Sequence, residues 1–261
     1  ALNHKWDAVI AVRWPAVIGM SMSNDIGTVI FWSHDLMRED DLIRAFGADR
    51  DITKLDPPDA FVTLSPWHRS ICGITGWEYT EQVTIPNGLD LSLYAGDEER
   101  DPNRLIWTPN PNRGLMATVR AFRQLRKRWP ELELHVYGRS SVYGWGPGDP
   151  MHERFYLPHA EEPHVYVHES LPKAGLAKEL QRSWALLYGS TWKETFCIAA
   201  TEAQAAGTPV IAPPLAALTN TVQGGILDWD LEHAVAQLRD DPKEWERQSL
   251  RGLDFTSQLD W

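Results

Sequence analysis

Short apolar runs and amphipathic stretches alternate along the chain. Trp6–Val12, residues 28–32 and residues 60–64 are compact apolar runs that read as buried parallel strands, the third leading into Ser65-Pro66-Trp67, a helix start. Residues 39–46 have helix-like spacing between them. Further on, residues 104–107, 132–137, 165–168 and 184–188 and Val210–Ala212 repeat the strand pattern. Between these runs, Leu115, Val119, Phe122 and Leu125 form one helical stripe, with Arg120, Arg123, Arg126 and Lys127 mostly on the other side. Residues 175–183 predict a second helix. Ala199, Ala200, Ala203, Ala205 and Ala206 predict a third, stopped by Gly207 with Pro209 beyond it. Residues 245–261 read as a terminal helical segment. Strands alternating with helices predict a doubly wound parallel sheet in this half.

The regular pattern breaks at Pro86-Asn87-Gly88, a plausible hinge. It divides an N-terminal region, residues 1–84, from a larger one, residues 85–240, with residues 241–261 as a closing segment. The first region is shorter than the ~100–200 residues of a full α/β domain, so it reads as incomplete. Residues 108–114 form a Pro/Asn/Gly loop ahead of a helix, and the turn-rich residues 144–150 predict a mobile loop.

Composition narrows the class. The chain has 261 residues, is 43% hydrophobic and carries a net charge of −11. Ordinary cores are therefore expected, and a generic nucleic-acid or anionic-membrane surface is not. No apolar run reaches membrane-spanning length and no signal peptide opens the sequence. Cys72 and Cys197 are too few for a disulfide framework, which favours a reducing, cytoplasmic setting. The 13 tryptophans predict core or groove-lining positions without naming a ligand.

The chemistry gathers in residues 192–213, WKETFCIAATEAQAAGTPVIAP. Strand, loop, helix and strand follow one another there, with the loop at a strand's carboxyl end, where open α/β sheets bind ligands. Glu194 at the helix start and Glu202 in its middle would lie roughly 12 Å apart along the axis, facing broadly one way. That spacing suits a ligand with two hydroxyl-bearing ends better than one metal ion. Free amides near Phe196 and Cys197 could cradle a phosphate between the carboxylates.

This string resembles the Glu-x7-Glu motif of retaining glycosyltransferases of the GT-B fold, the family that includes sucrose and mannosyl transferases. Residues 85–90, Ile-Pro-Asn-Gly-Leu-Asp, are similar to the string that marks passage into that family's C-terminal, donor-binding domain. The resemblance implies two Rossmann-type domains, the first incomplete here, with residues 241–261 crossing back toward the N-terminal one. It implies transfer of a hexose from a nucleotide-diphosphate sugar, UDP- or GDP-linked, to an acceptor hydroxyl with retention. The acceptor could be a carbohydrate, a lipid or a small molecule. No cofactor or metal is implied.

The resemblance also assigns roles. Glu194 would meet donor-sugar hydroxyls and Glu202 the ribose. Arg113-Gly114 stands where the family has a basic residue and glycine at a helix start, meeting the pyrophosphate. Thr108 occupies a position that is basic in many relatives. His34, after the run at 28–32, is a donor-sugar candidate; otherwise it is a loop histidine beside a helix-capping Asp35. Arg139 could touch phosphate or base, and Glu169, Ser170 and Leu171 lie where relatives hold the nucleobase.

Other clusters read as structural. His152, His159, His164 and His168, with Glu153, Glu161 and Glu162, lack the spacing of a zinc signature and suit a solvated acidic loop. Cys197 at a helix start could be a nucleophile, but no partner histidine lies nearby, and packing behind the phosphate accounts for it. Rival readings are a nucleotide-sugar-binding module without turnover, and an epimerase or phosphorylase on the same architecture. No Gly-x-Gly-x-x-Gly follows a strand, which disfavours a dinucleotide oxidoreductase.

Overall fold

The computed structural model describes residues 6–13, 26–36, 57–72, 80–137 and 162–261. The expected helix at 39–46 and loop at 144–150 lie outside the described residues. Two compact units divide at residues 87 and 88.

The first unit carries four parallel strands, β1 (Trp6–Val12), β2 (Ile26–Trp32), β3 (Ala60–Thr63) and β4 (Glu81–Thr84), in the order β1-β2-β3-β4. Phe31 and Phe61 pair across β2 and β3, ring centroids 5.4 Å apart, and are buried. Helix α1 (Pro66–Ile71) starts where Ser65 predicts it, the hydroxyl accepting the His68 amide at 3.0 Å ahead of the proline. Strand β4 has no separate signal in the sequence. It is short and half-exposed, so its apolar content is low.

The second unit carries six parallel strands: β5 (Asp101–Trp107), β6 (Glu133–Val136), β7 (Val165–Val167), β8 (Ser183–Leu187), β9 (Val210–Ala212) and β10 (Gly225–Leu227). Their order is β10-β9-β8-β5-β6-β7, the doubly wound arrangement in which the chain works outward from the centre in both directions. Helix α2 (Leu115–Arg128) buries its predicted stripe, Leu115, Val119, Phe122 and Leu125 all being 2% exposed or less. Helices α3 (Lys173–Arg182) and α4 (Ile198–Ala205) follow β7 and β8, and the short α5 (Leu218–Thr221) follows β9.

Helices α6 (Leu231–Asp240) and α7 (Pro242–Thr256) close the unit. Asp230 and Asp241 cap them, each accepting two amides of the first turn, and Pro242 occupies the first turn of α7. The chain end then pairs with Leu89, whose amide donates to Leu259 and whose carbonyl accepts from Trp261. At the sheet centre Trp107 and Tyr188, both fully buried, meet edge to face at 5.1 Å. The indole N–H of Trp107 is satisfied by Pro109 O at 3.0 Å.

Candidate functional site

The order of the second sheet reverses between β5 and β8, so the loops leaving these neighbouring strands diverge at the carboxyl edge and open a crevice. The loops are residues 108–114 and 188–197. Two glycines hold them together. A Cβ on Gly114 would lie 2.1 Å from Gly189 O, and one on Gly189 would lie 2.8 Å from Thr118 N. Gly114 also has φ 126°, which L side chains rarely adopt. The seam is completed by the Gly189 amide donating to Thr118 Oγ1 at 2.8 Å and the Thr191 amide donating to Arg113 O at 3.1 Å.

That seam places Arg113 against Glu194. Nη1 of Arg113 donates to both Glu194 oxygens at 2.9 Å, and its guanidinium lies 5.8 Å from the Trp192 ring centroid. The phenol of Tyr188, at the end of β8, donates to Glu194 Oε1 at 2.6 Å. Glu194 is thus a buried carboxylate held by a cation and a hydroxyl. Burial, and then the neighbouring Cys197 and Glu194, push the Tyr188 phenol well above its usual range, so it remains a donor.

Glu194 does not stand on the helix. Helix α4 begins at Ile198, and its N-cap Cys197 is left-handed at φ 77° and ψ 76°. The expected ~12 Å of helical rise between the two carboxylates is therefore corrected, because only the segment from Ile198 onward rises as a helix. Glu202 is on α4, buried, and ion-paired with Lys173 Nζ from the start of α3. A second phenol, Tyr94, hydrogen-bonds to Glu202, its pKa raised first by burial and then by that carboxylate. Each glutamate thus has one tyrosine and one cation.

Around these side chains lie two helix N-termini. Among the described residues, the amides of Leu115, Met116 and Ala117 on α2, and of Phe196, Cys197, Ile198 and Ala199 at α4, make no hydrogen bond. Such amides carry the positive end of the helix dipole and suit an anion. Phe196 and Cys197 are buried behind the loop. Burial drives the Cys197 thiol well above its ordinary pKa, overriding the lowering expected at a helix start, so it packs as a small apolar group.

Leu171, Glu169 and Ser170 are exposed in the segment between β7 and α3. Beside them the rings of Tyr137 and His168 stack at 4.4 Å, and the Tyr137 phenol donates to Glu179 at 2.7 Å. His168 also shares a hydrogen bond of 2.9 Å with His135. Arg139, His152, His159, Glu153 and Glu161 lie outside the described residues. Among the described residues, no three His, Cys, Asp or Glu side chains gather as a metal site.

His34 belongs to the first unit, past the end of β2, where its ring stacks on Trp32 at 6.0 Å. Burial and Arg13 lower its pKa against the opposing pull of Asp35. Asp35 itself pairs with Arg13 through Nε at 2.6 Å and Nη2 at 3.2 Å. Buried His68 accepts the Leu64 amide at Nδ1, 3.1 Å, which leaves Nε2–H to donate to Asp35 O at 3.0 Å. His68 therefore fixes the segment that carries His34.

Sequence reasoning missed Tyr188, Tyr94, Lys173 and His68. Tyr188 had a signal, a polar-tipped ring ending a buried strand one residue before a glycine. Tyr94 and Lys173 had none, since each reaches Glu202 from an element remote in sequence.

Residues 109–223 match the family model for glycosyl transferases group 1. A search of curated proteins gave no match. Among solved structures, sucrose-phosphate synthase from Thermosynechococcus elongatus aligns with a TM-score of 0.75 at 20% identity, over 98% of this chain and 70% of that one. The pneumococcal O-GlcNAc transferase GtfA, solved with UDP and GlcNAc, aligns at 0.73 and 18% identity, over 97% and 54%. Anabaena HepE, solved with UDP and glucose, aligns at 0.76 and 14% identity, over 97% and 74%. The fold is α/β and GT-B-like with two parallel sheets, and the resemblance to glycosyl transferases group 1 holds. Among the described residues, no helix is long and apolar enough to cross a membrane.

Proposed function

We propose that this chain transfers a hexose from a nucleotide-diphosphate sugar, UDP- or GDP-linked, to an acceptor hydroxyl with retention of configuration. The observation that carries the reading is the convergence, at the switch point between β5 and β8, of Arg113 and two helix N-termini with Glu194, while Glu202 stands on the second of those helices. An anion is favoured by the first set, and hydroxyl groups by the second.

In this reading the diphosphate lies against the amides of α2 and α4, with Arg113 supplying a guanidinium. Glu194 accepts hydrogen bonds from sugar hydroxyls and is oriented by Tyr188. Glu202 accepts from the ribose, and Tyr94 orients it. The acceptor oxygen bonds to the anomeric carbon on the face from which the diphosphate departs. The electron pair of the breaking C–O bond goes to the leaving diphosphate oxygen, which takes the acceptor proton. The protein contributes position and charge stabilisation. His34 is a second candidate for a sugar contact, and Phe196, Cys197, Gly114, Arg139 and Leu171 are candidates for shaping the donor site. The reaction needs no cofactor, and the protein is proposed to work in the cytoplasm.

Support comes from the family match over residues 109–223 and from two structures of the same fold that were solved with UDP. The test is metal-free calorimetric titration with UDP and GDP, on the wild type and on Glu202→Ala. Micromolar binding of one nucleotide, lost in the variant, is expected. Turnover of the matching sugar nucleotides, with the product anomer read by NMR, then separates a retaining transferase from a binding module. Absence of binding by a folded protein overturns the proposal.

A further inference from the structure

A groove of about 830 Å³ lies within the second unit, away from Glu202. It is lined by α2, with Arg120 and Gln124, by Ser190 and Thr191 of the β8 loop, and by the start of α6, with Trp229 and Glu232. Small side chains of α2 and the bare backbone of Gly189 leave the space open.

Trp229 is 68% exposed, yet its backbone is pinned on both sides. Asp230 caps α6 by accepting the amides of Glu232 and His233 at 3.0 Å, and Asp228 accepts the Asp230 amide at 2.9 Å while binding His233 Nδ1 at 2.8 Å. The fold thus fixes the backbone that carries a large apolar ring at a concavity without covering the ring. Leaving an indole in water forgoes a large burial term, and preorganisation of this kind favours a ligand with a flat apolar face.

The polar groups narrow the ligand class. Among the described residues, the side chains of Arg120 and Glu232 make no hydrogen bond or ion pair, so the groove offers an uncommitted donor set and an uncommitted acceptor. With Asp230 and Glu232 against Arg120, the lining is net negative, which disfavours phosphorylated or nucleic-acid ligands. Trp229 shares the lining with the apolar Ala117, Ala121, Pro213 and Leu231 and with these polar groups, so apolar and hydrogen-bonding surfaces lie side by side. A sugar ring fits both properties, because its C–H face stacks on an aromatic plane while each hydroxyl both donates and accepts.

We propose that this groove is a glycan subsite that takes a neutral oligosaccharide, with Trp229 as the stacking platform and Arg120, Glu232 and Gln124 as hydroxyl partners. Ser190 and Thr191 connect it to the loop that bears Glu194, so a glycan held here lies beside the carboxyl edge of the sheet.

The test is ¹⁹F NMR of the whole chain labelled with 5-fluorotryptophan, the Trp229 resonance being assigned by its loss in Trp229→Phe. Maltohexaose, cellohexaose and N-acetylchitohexaose are titrated to millimolar concentrations without nucleotide. At least one is expected to shift the Trp229 resonance saturably, and Glu232→Gln or Arg120→Met to weaken that binding by roughly tenfold. The remaining resonances report whether each variant is folded. No shift at Trp229 with any of the three probes overturns the proposal, as does saturable binding that is unchanged in a folded Trp229→Ala protein. UDP and GDP binding is read separately, so the subsite and the proposed donor site fail or stand independently.

Discussion

Replacing Glu194 by Gln is expected to tighten nucleoside diphosphate binding while slowing transfer. Arg113 is paired with the Glu194 carboxylate, with side-chain exposures of 30% and 7%. A diphosphate that recruits Nη1 of Arg113 must draw it from that partner. A hydrogen bond to a charged group is worth ~1.5–3 kcal/mol and one to a neutral group ~0.5–1.5 kcal/mol, so the amide lowers the cost of release by about 1–2 kcal/mol. Discounting for the partly exposed guanidinium leaves about 1 kcal/mol, or roughly a fivefold gain in affinity. Gln at this site still accepts the Tyr188 hydroxyl and occupies the same volume, so the fold should persist. Calorimetry of UDP and GDP on both proteins measures the gain, and turnover of the matching sugar nucleotide measures the loss. Unchanged affinity would show that Arg113 does not leave Glu194 when nucleotide binds. Weaker binding would show that the carboxylate itself supports the nucleotide. Either result refutes the reasoning.

Acid should destabilise the second unit through its histidine ladder. Burial, and then Arg104, lower the His135 pKa from 6.5 to about 4, while burial lowers that of His168, so the unfolded chain binds more protons between these limits. Their contribution is complete above pH 6.5 and is lost as pH falls toward 4, which urea midpoints across this window should follow and His135→Gln should flatten. Gly114→Ala places a Cβ 2.1 Å from Gly189 O at a positive φ and is expected to cost about 3 kcal/mol or more, lowering the melting temperature by roughly 6–12 °C and abolishing nucleotide binding. An unchanged melting temperature would mean that the seam between the β5 and β8 loops is not tight.

The architecture of the second unit is legible because its signals are local. The stripe of Leu115, Val119, Phe122 and Leu125 faces inward as its period predicts, and the buried run of β8 contrasts with the small-residue helix that follows. Strand β10 and helix α5 are harder to read. Each is four residues or fewer, too short for periodicity, and is placed by neighbouring elements instead. The same limit explains the pairing of the carboxylates. Glu194 and Glu202 stand out by spacing and context, but Lys173 reaches Glu202 across 29 residues and Arg113 reaches Glu194 across 81. A sheet whose central strands are far apart in sequence creates such contacts, and local pattern carries no trace of them.

Cys197 shows why spacing alone placed the two glutamates wrongly relative to each other. If the helix ran unbroken from Glu194, both carboxylates would project from one rod, and a single cation between them would be shared or out of reach. A left-handed residue at φ 77° turns the chain instead, at a cost of about 1–2 kcal/mol for a side chain other than glycine. The turn leaves Glu194 in the β8 loop, against the start of α2, where Tyr188 and Arg113 meet it. It leaves Glu202 on the helix, where Tyr94 and Lys173 meet it. The two carboxylates thereby acquire separate electrostatic environments, with the free amides of α4 lying between them in the chain. On the proposed function, one ion pair would open to admit the donor while the other stays closed. In the proposed donor-binding reading, that independence would let the two ends of an elongated ligand be held by different groups, and the left-handed turn at buried Cys197 completes the loop that separates them.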